Sequence, residues 1–155
     1  MKRTIIGLAI AMALAFPLNA FAGMSAYFAN ALAAQVFNGT AYTFPTTIYI
    51  GLFSTCPSGG TGGTEISFTG YARVAEAVGT ANFTTASGGL VKNAVAISWT
   101  NTGTAATATC YGAWDASTGG NLLLDNTLTT SQTINAGATA TFAIDALSWQ
   151  FTISP

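Results

Sequence analysis

Thr46-Thr47-Ile48-Tyr49-Ile50-Gly51-Leu52-Phe53 is the stretch that decides the fold. Ile48, Ile50 and Leu52 recur with a period of two, among β-branched neighbours and directly after Pro45, and that pattern predicts a buried strand. Outward from it, the same alternation returns in Val95, Ile97 and Trp99 and in Ala138, Ala140, Phe142 and Ile144, and Ala108 to Trp114 is a further strand candidate. Trp149, Phe151 and Ile153 share another face, Leu122-Leu123-Leu124 opens a further segment, and Tyr71 to Ala77 reads as a second early strand. Polar or Gly-bearing turns separate these runs at Asn101 to Thr104, Asp115 to Asn121 and Asn135-Ala136-Gly137. Six to eight short strands at spacings of roughly 8 to 12 residues predict a single all-β domain, a β-sandwich or jelly roll. One short N-terminal helix is expected from Ser25 to Phe37, with Ser25 placed to cap it and Asn38-Gly39 to end it.

The chain has 155 residues, and its first 22 read as a secretory signal peptide: Lys2 and Arg3, an apolar run from Thr4 to Leu18 broken by Pro17, then Ala20-Phe21-Ala22. Cleavage is expected between Ala22 and Gly23, leaving a β domain over residues 23–155 and no retained membrane anchor, since the apolar run is short of a bilayer span. Cys56 and Cys110 are the two cysteines. In an oxidising compartment they form one candidate disulfide; two small buried thiols that never meet are the alternative.

Charged residues are 6% of the chain, against a usual share of about 25%. Beyond residue 22 two cations, Arg73 and Lys92, face five carboxylates, a net charge of −3. Nucleic-acid binding needs clustered Lys and Arg, so it is excluded. A surface of Ala, Thr, Gly and Asn suits packing beside many copies or on a larger particle.

No histidine occurs, which removes Ser-His-Asp and Cys-His nucleophilic sites, and two cysteines 54 positions apart make no zinc site. The loop Ser58 to Gly63 lacks the Gly-Lys-Ser/Thr ending of a phosphate cradle and reads as a flexible surface loop. Glu65 and Glu76 form the one carboxylate pair conceivable for glycoside hydrolysis, but edge charges or a partner for Arg73 explain them better. Asp115, Asp125 and Asp145 are oxygen ligands suited to calcium, yet each sits at an expected turn. Neither a catalytic residue nor a cofactor is assigned. Trp114, Tyr111 and Tyr71, with Trp99 and Trp149, are the candidates for an aromatic binding surface on a carbohydrate- or cell-surface-binding module; alternation with apolar neighbours favours core packing instead.

Beyond periodicity, three blocks of wording resemble small tailed-phage virion proteins labelled as tail-fibre, head-fibre or decoration proteins. They are Ile48 to Thr55, then Gly63-Thr64-Glu65-Ile66-Ser67 with Gly70-Tyr71-Ala72-Arg73-Val74, and a second half comprising Asn93 to Trp99, Gly112 to Leu123, and Leu128-Thr129-Thr130 with Ile134-Asn135-Ala136-Gly137. The likeness runs from about Met24 to Trp149. It implies a non-enzymatic virion component, binding a capsid or tail surface or assembling as a homo-oligomer. It also leaves two origins open for residues 1–23: a genuine leader that exports the domain, or an upstream extension of a cytoplasmic virion protein that starts at Met24.

Overall fold

The computed structural model describes residues 23–151. The leader expected over residues 1–22, with Ala22 of its cleavage site, lies outside the described residues, as does Ile153.

A two-residue strand, β1 (Gly23–Met24), precedes helix α1 (Ala26–Asn38). Ser25 caps the helix as expected: its backbone is extended and its hydroxyl accepts from Phe28 N at 3.1 Å. Gly39, at φ 68°, takes the left-handed turn that ends it. Only Phe28 is buried on the helix. The Gly-rich loop is not free of the body, contrary to expectation. Gly59 O accepts from Ala26 N at 3.1 Å, satisfying a donor that the first helical turn leaves open.

β2 (Thr47–Thr55) is the strand that the opening stretch predicts. It pairs along one edge with β7 (Ala106–Trp114), which pairs in turn with β8 (Leu122–Ile134), and β8 carries β1 on its far side. The other edge of β2 is shared by β3 (Thr64–Glu65) and β4 (Val74–Ala77). All these pairings are antiparallel. Two ribbons complete the described strands: β5 (Leu90–Lys92) with β10 (Ser148–Gln150), and β6 (Ile97–Thr100) with β9 (Thr139–Phe142).

The period-two pattern gives the main sheet two different faces. Ile50 and Leu52 register with Ala113 and Tyr111 and join Ile97, Trp99, Leu147 and Trp149 from the ribbons in one core. That makes an inner face covered by the ribbons. Phe53, Cys110 and Trp114 belong to a second, smaller cluster on the outer face. The protein is thus all-β with one helix, as expected, and its ribbons are the second layer over the sheet.

Two buried asparagines hold the ribbon connections. Asn93 Nδ2 donates to the carbonyls of Val95 and Ala143, at 2.7 and 2.8 Å, while its Oδ1 accepts from Leu147 N. Asn101 donates to Thr104 O and Ile134 O, at 2.7 and 2.9 Å, and accepts from Gly103 N. Loop carbonyls that enter the core need such partners.

Strand boundaries differ from expectation in several places: β6 starts at Ile97 and not Val95, and β9 covers only Thr139–Phe142, leaving Ile144 exposed. The strand expected from Tyr71 starts only at Val74, because Tyr71 and Arg73 turn to other bonds described below. β8 runs through the polar Thr129-Thr130-Ser131-Gln132, which shows no apolar alternation. The register with β7 shifts there, so that Leu128 to Ser131 have no partner on β7; where pairing resumes, Thr107 and Thr133, hydroxyls 2.9 Å apart, meet on the exposed side while Ala108 and Ile134 enter the core.

Candidate functional site

The outer face is built around two glycines that face each other, Gly51 on β2 and Gly112 on β7. A Cβ on Gly51 would come within 2.7 Å of Tyr71 Oη and 2.8 Å of the Trp114 ring; one on Gly112 would meet Leu122 and Phe53 at 2.8 and 2.9 Å. Their missing side chains admit Trp114, stacked on Phe53 at 5.0 Å. The Arg73 guanidinium lies 4.0 Å over the Trp114 ring. Arg73 grips Glu65 through both carboxylate oxygens, at 2.9 Å from Nε and 2.8 Å from Nη2. Its Nη1 donates to Ala116 O and Gly119 O, both at 2.8 Å. The arginine therefore ties β3 to the loop between β7 and β8.

Tyr71 completes this network. Between β3 and β4 the edge of β2 is unpaired at Leu52 N, and the Tyr71 hydroxyl accepts from it at 2.9 Å while donating to Glu65 Oε1 at 2.8 Å. Burial, above all, pushes the Tyr71 phenol well above its ordinary range, so it stays a donor. Asp115 folds the same loop, its Oδ1 accepting from Asn121 N at 2.6 Å and its Oδ2 from Asn121 Nδ2 at 2.8 Å. The turn reading of Asp115 is the one seen.

The remaining candidates separate. Glu65 registers with Phe53 and Glu76 with Ile48, five residues apart on β2 and on opposite faces. At about 3.4 Å per residue this is roughly 17 Å along the strand, beyond the spacing of a glycosidase pair. The three aromatics do not form one surface. Tyr111 is 3% exposed on the inner face, Trp114 is 5% exposed on the outer face, and Tyr71 sits at the edge. Alternation along β7 sends 111 and 114 to opposite sides. Asp125 is on β8 and not at a turn. No group of three potential metal ligands occurs among the described residues. Cys56 and Cys110 are joined in a disulfide with Cα atoms 5.5 Å apart, tying the segment after β2 to β7.

What sequence reasoning missed is an apolar groove of about 460 Å³ on the inner flank. Phe28 of the helix, Phe44, Ile48, Phe83, Leu124 and Trp149 line it, and no charged side chain does. Phe44 at its rim is 53% exposed, and Val78 beside it is 55% exposed. Trp149 Nε1 is buried with no hydrogen-bond partner among the described residues. Alternation flags Trp149 as a core residue; the groove around it is lined from segments as far apart as Phe28 and Thr80 to Ala86, which no local pattern brings together.

The Podophage GP4 fiber I protein gp80 family matches residues 23–150, nearly the whole described domain. The chain belongs to this family. No curated protein matches it. The gp80 match covers the helix, the residues of the outer-face network and all of the groove lining except Phe151, and the family is one of phage fibre proteins.

Proposed function

We propose that this gp80-family chain is a non-enzymatic fibre subunit that assembles in several copies, the end of the helix of one copy entering the groove of the next. The groove is the observation that carries the reading, because the same molecule also presents a fitting knob. Val36 and Phe37, at the end of α1, are 72% and 84% exposed. At about 1.5 Å per residue they stand roughly 12 to 14 Å along the helix from Phe28 in the groove wall. Knob and groove at different places on one subunit make a heterologous contact, which closes into rings or extends into filaments. The lack of charge on the groove wall suits an apolar occupant, and the outer-face lock keeps the sheet rigid behind it.

Size-exclusion chromatography with light scattering tests this. The chain is expected to assemble, and Phe37→Glu on the exposed helix end, or Val78→Asp on the groove side, is expected to return a folded monomer. An unmutated chain that stays monomeric at about 100 µM, or an assembly indifferent to both variants, overturns the reading; docking of the groove onto a capsid or tail protein is then the arrangement to test.

A further inference from the structure

Asp125 stands on β8 between its register partners, Gly112 of β7 and Gly23 of β1. Its Oδ1 is buried and has no hydrogen-bond partner among the described residues. Neither neighbouring strand brings a charge to it. β1 consists of Gly23 and Met24, and beside Gly112 are Ala113 and Tyr111, which belong to the inner core. The Tyr111 hydroxyl is held by Ser148. Burial pushes the Asp125 carboxyl up to about 6. A half-buried carboxylate with one oxygen out of solvent and nothing opposite it is costly, and a cation at this place would relieve that cost.

The backbone of Gly23 lies against the carboxylate. A Cβ built on Gly23 would be 3.0 Å from Asp125 Oδ1 and 3.3 Å from Oδ2, so the absence of a side chain leaves the approach open. Ser25 N donates to Leu123 O at 2.9 Å. Because antiparallel ladders alternate, Gly23 and Asp125, two residues further along each strand, are the next hydrogen-bonded pair, and the Gly23 nitrogen faces β8. As an amide that nitrogen has one proton, which the ladder uses. As an ammonium it has three.

We propose that hydrolysis of the Ala22–Gly23 bond creates an α-ammonium on Gly23 that pairs with the Asp125 carboxylate, making Asp125 the built-in acceptor of a processed N-terminus. The inference rests on the leader cleavage expected from the sequence and is independent of the assembly proposed above. The step needs water and a signal-peptidase-type endopeptidase of the host. The C–N bond breaks, the hydroxyl of water completes the Ala22 carboxyl group, and its hydrogen goes to the Gly23 nitrogen. At neutral pH the new carboxyl group releases a proton and the amine takes one up. A chain starting at Met24 lacks Gly23 and leaves Asp125 Oδ1 unmatched.

The full chain is expressed in a Gram-negative host, and the periplasmic product is weighed intact and acylated near neutral pH with an amine-selective reagent. Lys92, the one lysine after residue 22, is the internal reference. The expected product begins at Gly23, and its α-amine reacts at least about tenfold more slowly than in Asp125→Asn or in urea, since one unit of raised pKa is a tenfold loss of free amine. Carbon-detected NMR of the unmutated protein should show Asp125 titrating below the ordinary carboxylate range, and this decides the matter if Asp125→Asn does not fold. A product beginning at Gly23 whose amine reacts as it does in urea, with Asp125 titrating near 6, overturns the pairing while leaving the cleavage standing. A product beginning at Met1 or Met24 overturns both.

Discussion

Arg73 uses four of its N–H groups within the fold and is only 8% exposed at its side chain. Arg73→Ala would leave the carbonyls of Ala116 and Gly119 without this donor and Glu65 with the Tyr71 hydroxyl alone, and is expected to lower stability by about 2 to 3 kcal/mol in a urea titration. Arg73→Lys should recover less than half of this, because an ammonium cannot reproduce the two-toothed grip on Glu65 or the flat stack on Trp114. Asn101→Ala removes the side-chain partner of the Thr104 carbonyl, of the Ile134 carbonyl at the end of β8 and of Gly103 N–H together, with an expected cost of about 3 kcal/mol. Asp125 bears on pH. In a chain that keeps its leader, the carboxyl titrates near 6 in the folded state, against about 4 unfolded. Between those values the folded state holds the extra proton, so the stability this carboxyl contributes is fully present below about pH 4 and is lost as pH rises through 6. Burial raises Glu76 too, and this acts in the same direction. Urea midpoints of unprocessed chain at pH 4, 5 and 6.5 should decline in that order, and Asp125→Asn should remove most of the decline.

Among the elements, β7 matters most, because it pairs with both β2 and β8 and carries one end of the disulfide. The bridge closes a loop of 54 positions and restricts the unfolded chain. Reducing it is expected to cost about 2 to 4 kcal/mol, read as a lower urea midpoint with reductant than without. An unchanged midpoint would mean that the link adds nothing to the β2–β7 ladder. The helix shows how far an element can be read and where reading stops. Ser25 and Asn38-Gly39 mark its ends because capping is a local matter of side-chain oxygen and left-handed turn. Which of its residues is buried is not local: the groove takes Phe28 and leaves Val36 and Phe37 in solvent. β8 is the opposite case. Its far end, Gln132 to Ile134, pairs with Ala106 to Ala108 of β7 only after a register shift that carries Leu128 to Ser131 past without partners on β7, and nothing in the local sequence marks that shift.

At the scale of the whole molecule, the alternation of Ile48, Ile50 and Leu52 was enough to establish an all-β domain, since a period of two has one physical meaning on a pleated surface. Absent histidine and sparse charge restrict the chemistry by composition alone. The motif blocks that resemble phage virion proteins led to the fibre family that matches residues 23–150. Tertiary structure alone decided the rest. Tyr111 and Trp114 are three residues apart, yet one closes the inner core and the other anchors the outer lock. Glu65 and Arg73 meet because β3 and the segment before β4 return to the same edge of β2. Segments distant in the chain form both walls of the groove, and Gly23 reaches Asp125 across a ladder between residues about a hundred positions apart. A local pattern specifies which way a side chain points from its own strand; what it meets there depends on which strands the fold sets beside it.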